Sequence, residues 1–420
     1  MYLNNNRLSE KIIWVLVTFL FAAFTIFDEN AWISIILLAT TIGIFCLDVY
    51  QGHGKTYFKM EMYHYTVLAF SLFCLLSALW AIRPGNAIQK GITIIEILVC
   101  MSVIYVHYSK AVSIKPLISA VMWAEYIVVI YAIGYYGMNT IKLMLDSGDR
   151  LENSFTNINS IGMVAAIATV LTCFRICFVM NKFTIDNILT IPCVVMIAAT
   201  GSRKALIMAV VGTVLVLMKR FASSNIIKNI VIWCILGIFL FIVFYYLSTL
   251  PLFEGVMKRM QGLGGLISGQ GKIEHSAWLR EQYIKIGIKE FKKSPIVGWG
   301  IGSSGALLSQ NFGRDTYFHN NFVELLACGG IAGFAVYYNI YLCLGKNFIK
   351  YRKFNSPYSY LCIVLMLLLL FMDYASVSYY SKERYFYFMI LFLEIHYIKR
   401  TTKEKNLDRG KEKDGTRFNK

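Results

Sequence analysis

The sequence predicts an all-α, polytopic membrane protein with about twelve transmembrane helices and one long extracytoplasmic loop. Three observations predict it. Hydrophobic residues make up 57% of the chain and charged residues only 15%, where soluble domains carry about 25% charged residues. The apolar residues fall in runs close to the ~20 that a helix needs to cross ~30 Å of hydrocarbon. The lysines and arginines, which give a formal net charge of +17, sit in short segments between those runs and in the tail. Mean hydropathy is +0.57, and aromatic residues often stand at the run edges, as in interfacial belts.

The first run, from about Ile12 to Phe27, follows Arg7 and Lys11 and reads as an anchor rather than a cleaved signal. Further runs cover 31–49, 63–82, 91–107, 117–137, 158–180, 185–200, 203–218 and 229–250. A polar insertion follows at 251–318, with a glycine-rich part (Gly262, Gly264, Gly265, Gly269, Gly271) and an amphipathic helix from about Ser276 to Lys293. A loop of this length in a compact protein is usually functional. Runs at 319–345, 357–374 and 384–398 complete the set, and a basic tail occupies 399–420. The expected organisation is thus a bundle of about nine helices over 1–250, the extracytoplasmic loop over 251–318, C-terminal transmembrane helices over 319–398 and a cytoplasmic tail.

Cytoplasmic loops favour Lys and Arg. Placing both termini in the cytoplasm puts Lys55, Lys110, Lys182, Lys219, Arg220 and Lys346 to Lys353 on that side. The other side receives the 83–90 and 138–157 loops, Gly201 to Lys204 and the 251–318 insertion. A bacterial cytoplasmic (inner) membrane is the expected location.

The positive charge therefore reads as topology, and no basic groove with spaced aromatics points to nucleic acid. All ten cysteines lie in apolar runs, where a thiol behaves as a small hydrophobe. No His or Cys spacing of the metal-binding type appears. Glu96 and Glu125 stand inside predicted helices, an expensive place for a carboxylate.

Sorting by side leaves few polar candidates. His319 stands where the long loop enters a helix, Arg203 at the start of another helix, and Arg280 on the loop helix, a loop that also holds Arg259 and Arg314. From position alone, His319 could be structural and Arg203 could snorkel to headgroups. Lys204 is a phosphate contact or an interface anchor. Asp315 and Glu324 could orient His319, or be solvated or paired with loop cations. Gly330 and Gly333 are three apart, which places them on one helix face where a neighbouring helix can come close. The string Gly298-Trp-Gly300-Ile-Gly302 lacks the strand context of a nucleotide loop.

The pattern His319-Asn320-x9-Gly330-x-x-Gly333 resembles the signature of the O-antigen ligase and polymerase superfamily. Gly201-Ser202-Arg203 resembles its Ser-Arg element, Pro295-Ile-Val-Gly298-Trp-Gly300 its Pro-x-x-Gly-x-Gly element, and Phe155-Thr-Asn157-Ile-Asn159 its Asn-rich start of a membrane helix. The resemblance implies a metal-independent, cofactor-free membrane glycosyltransferase. It implies His319 as base, with Arg203 and Arg280 on the leaving pyrophosphate. Asn320, Lys204, Asn159, Gly298 and Gly300 become candidate substrate contacts. The implied partners are an undecaprenyl-pyrophosphate-linked glycan donor, a glycan acceptor, membrane lipids, a chain-length regulator and a flippase.

Within that resemblance the expected activity is polymerisation of lipid-linked repeat units of O-antigen, capsule or exopolysaccharide. The alternative is a ligase that moves the finished glycan to lipid A–core or another acceptor. A transporter of the same glycans is a third class. It lacks support from an internal repeat or paired broken helices.

Overall fold

The computed structural model describes residues 2–27, 32–50, 59–147, 149–151, 155–223, 225–249, 253, 275–354 and 356–415. The glycine-rich run 262–271 and Arg259 lie outside them. Among the described residues the protein is all-helical, as the sequence predicts, and seven helices are long and apolar enough to cross a membrane. In chain order the elements are α1 (Tyr2–Ile26), α2 (Trp32–Tyr50), α3 (Met62–Ser77), α4 (Pro84–Ser109), α5 (Lys115–Tyr136), α6 (Met138–Ser147), α7 (Ile158–Phe174), α8 (Thr190–Ala199), α9 (Arg203–Arg220), α10 (Ile226–Thr249), α11 (His275–Lys293), α12 (Ser304–Phe312), α13 (Asn321–Lys350), α14 (Pro357–Ala375) and α15 (Lys382–Gly415). Every run singled out in the sequence carries a helix. The 138–157 and 251–318 segments hold the short helices α6 and α12 as well.

The helices pack as two groups. One joins α1, α5, α7, α8 and α9; the other joins α3, α4, α11, α13 and α15; α14 touches α9, α13 and α15. Two buried carboxylates inside the bundle accept hydrogen bonds from a neighbouring helix, which lowers the cost of a low-dielectric interior. Tyr387 on α15 donates to Glu125 on α5, so that carboxylate bonds two helices. Ser359 on α14 donates to Glu394 on α15 at 2.6 Å. Glu96 faces outward from α4, and nothing in the structure explains it.

The helix α13 is broken. Gly330 has φ 62° and ψ −166°, so it opens the helix instead of sharing a face with Gly333. A break orphans backbone groups, which must be satisfied inside a membrane protein. The turn Pro295–Gly300 satisfies them. Ile331 N–H donates to the Pro295 carbonyl at 2.8 Å, Ala332 N–H to Ile296 at 3.0 Å, and Trp299 N–H to the Ala327 carbonyl at 3.0 Å. Gly298 and Gly300 make the fit possible. A Cβ on Gly298 would stand 2.5 Å from the Cys328 carbonyl carbon, and one on Gly300 2.2 Å from the Ala81 Cα. Gly333 does admit a close neighbour: its missing Cβ leaves room for the Phe73 ring of α3.

Candidate active site

Two cavities open at one end of the bundle. The larger, about 830 Å³, is lined by Arg150, Leu151, Asn157, Asn159, Arg280, Tyr283, Arg314, Asp315 and His319 among others. The smaller, about 480 Å³, lies between the two helix groups. Its walls include Lys90, Asn157, Asn159, Met163, Ile167, Lys204, Arg280, Tyr317, His319, Leu369 and Arg384. Thr156, Asn157, Asn159, Arg280 and His319 belong to both. They form the wall where the cavities meet.

Local sequence places each of these groups. Asn157 caps α7, its Oδ1 accepting the Asn159 N–H at 3.0 Å. Ser202 caps α9, accepting the Ala205 N–H at 3.4 Å, which leaves Arg203 and Lys204 in the first turn. Such a terminus favours anions. On α11, Arg280, Tyr283 and Gly287 recur at helical spacing, and a Cβ on Gly287 would lie 2.3 Å from Val323 Cγ1. That contact presses this face of α11 against the start of α13.

His319 precedes α13 with φ 56°, a left-handed conformation that costs a side-chain-bearing residue energy. The next residues hold it there. Asn320 Oδ1 accepts the Val323 N–H at 3.1 Å, and its Nδ2 donates to the Tyr374 carbonyl at 3.0 Å. Phe318 N–H donates to Glu324 Oε2 at 3.1 Å. The imidazole stacks on Tyr283 at 5.8 Å and touches Tyr317 at 4.2 Å between ring centroids. Burial, followed by the nearby charges of Arg280 and Lys204, lowers its pKa to about 3. The ring is neutral at physiological pH and able to accept a proton.

The structure thus gathers His319, Arg280, Lys204 and Asn159 around the junction. Arg203 flanks Lys204 in sequence without lining either cavity. Asn320 acts as a helix cap, and Gly298 and Gly300 line neither cavity; they hold the turn inside the break of α13. Gly330 forms the break itself. Asp315 turns to Arg83, whose guanidinium holds it through two bonds of 3.0 and 2.7 Å.

Other groups carried no signal in the sequence. Lys90 lines the smaller cavity, bonded to the Tyr379 hydroxyl at 2.8 Å and 4.4 Å from the Tyr380 ring centre. In the same wall, Arg384 pairs with the buried Asp373 at 3.0 Å. Asp373 also accepts from Tyr341 at 3.1 Å and Tyr338 at 3.3 Å. Asn321 Oδ1 accepts the Ser378 and Tyr379 N–H groups at 3.0 and 3.1 Å. This network ties the start of α13, next to His319, to the α14–α15 connection. Intramembrane ion pairs would have flagged it had their partners been adjacent in sequence.

No curated protein matches the chain. Residues 188–338 match the family model described as O-antigen ligase, a stretch that contains Arg203, Arg280, His319, the turn at 295–300 and the break at Gly330. Over that stretch, a little over a third of the chain and set within an all-helical membrane architecture, the protein is similar to the O-antigen ligase family.

Proposed function

We propose that the protein polymerises undecaprenyl-pyrophosphate-linked repeat units at the outer face of the cytoplasmic membrane. One observation carries this reading: His319 and Arg280 stand where two separate cavities meet, as a transfer between two glycans requires. The smaller cavity combines apolar walls from spanning helices with Lys90, Lys204 and Arg280, which suits a lipid-borne pyrophosphate. The larger has a polar wall with Thr156, Asn157, Asn159 and Thr316, which suits the sugars of the acceptor.

In this reading His319 takes the proton of an acceptor hydroxyl. The hydroxyl oxygen bonds to the anomeric carbon of the donor, and the bond from that carbon to phosphate breaks. Its electron pair leaves on the pyrophosphate, where Arg280 and Lys204 stabilise the growing charge, with Arg203 adding to the field from the same helix start. Attack opposite the leaving group inverts the anomeric centre. The reaction asks for no metal or organic cofactor. Burial first, and then the same two cations, depress the basicity of His319. A bound pyrophosphate offsets their charge, so the donor raises the basicity of the group that must act next.

The test is incubation of the purified protein with a synthetic undecaprenyl-pyrophosphate repeat unit alone, beside His319→Ala. A ladder of lengthened lipid-linked glycans from the parent and none from the variant is expected. Product only on addition of a different acceptor makes it a ligase, and no covalent product with any acceptor overturns the enzyme reading.

A further inference from the structure

The larger cavity holds more positive charge than the transfer uses. Arg150 and Arg314 line it together with Arg280, and neither of them lines the smaller cavity. Among the described residues neither is ion-paired. Among the described residues Asp315 is the single acid on this wall, and it is already engaged. Arg83 grips both of its oxygens, and Gly305 makes room, since a Cβ there would lie 2.0 Å from Asp315 Oδ1. The leaving pyrophosphate has its own cations at the junction and in the smaller cavity. A neutral sugar offers a guanidinium only single hydroxyl acceptors, whereas a carboxylate or phosphate matches its fork in both geometry and charge.

We infer that the larger cavity selects an acidic glycan, one whose repeat unit carries a carboxylate or phosphate group that Arg150 and Arg314 bind. This rests on the polymerase or ligase reading and adds the substrate class to it. The same anionic chemistry could come from a second source, the pyrophosphate of the acceptor's own carrier, and the experiment separates the two.

In source cells, His319→Ala is introduced and the surface glycan that disappears is isolated and its repeat unit determined. A uronic acid, acidic ketal or phosphate in the repeat is expected. A neutral repeat overturns the inference and leaves the enzyme reading standing; loss of no glycan overturns the enzyme reading itself. The purified protein is then given two synthetic acceptors on the same pyrophosphate carrier, one with the free acid and one with its neutral ester. Arg150→Gln with Arg314→Gln lowers kcat/KM about tenfold or more for the acid alone, and Arg150→Lys with Arg314→Lys recovers part of it. An equal loss with both acceptors assigns the arginines to the carrier, and no loss with either removes them from binding; both results overturn the inference. Thermal midpoints in detergent confirm that the variants fold.

Discussion

Among the described non-glycine residues only Asn181 and His319 have positive φ. His319 is held there by the cap at Asn320 and by the rings of Tyr283 and Tyr317, so its conformation belongs to the site rather than to chance. Asn adopts the left-handed region at least as readily as His. His319→Asn is therefore expected to keep the thermal midpoint at neutral pH while transfer falls by ~10²–10⁴. The same pair of proteins reports the titration. In the native state the pKa of His319 is lowered to about 3, against ~6.5 in the unfolded chain. As pH falls below ~6.5 the unfolded chain takes up a proton that native His319 refuses, so the parent loses stability, by at most about 1.4 kcal/mol per pH unit. Melting both proteins in detergent at pH 7.5 and pH 5 checks this: the parent should fall further, and parallel curves would show that His319 titrates normally. His319 and Arg203 stood out in the sequence because each is polar at the edge of an apolar run, and Arg280 because it lies on the amphipathic helix of the long insertion; of the three, His319 and Arg280 line the cavities and Arg203 does not. Tyr283 and Tyr317 were not, since 27 tyrosines leave no contrast, and Lys90 looked like any interfacial lysine.

At the scale of elements, the helix carrying His319 and the turn at 295–300 form one unit. The turn's carbonyls and N–H groups replace the hydrogen bonds lost at Gly330. Gly330→Ala is strained twice: φ is 62°, and the new Cβ would stand 2.3 Å from the Ile296 carbonyl oxygen. A loss of about 1–3 kcal/mol is expected from the backbone conformation alone. Gly333→Ala meets only the Phe73 ring, 2.5 Å away, and a ring can shift. Thermal unfolding of the two variants should rank Gly330→Ala below Gly333→Ala; the reverse order would mean that the break is not what fixes the unit. The glycines of both motifs were visible in the sequence, but their partnership was not. Hydrogen bonds between segments some thirty residues apart leave no periodic trace, and two glycines spaced by three look the same on an intact helix as at a break. The spanning helices themselves were legible because the hydrocarbon imposes a length; α6 and α12, short and free of that constraint, were not.

For the whole molecule, the alternation of helices brings the starts of α4, α7, α9, α13 and α15 to the end where the cavities open. From the positive-inside bias we propose that this end faces outward. In a background without the exposed Cys46 and Cys234, an impermeant maleimide should label Gln310→Cys in intact cells and Lys353→Cys only after lysis. The opposite pattern would invert the protein and place the reaction in the cytoplasm. A centre with a chamber on each side also governs the traffic of its product. With the donor in the smaller chamber and the acceptor in the larger, the lengthened chain is left on the acceptor's carrier. On the proposed reading that chain has two routes to the next round: it stays where it is and accepts a fresh donor, or it crosses to the chamber vacated by the spent carrier and becomes the donor itself.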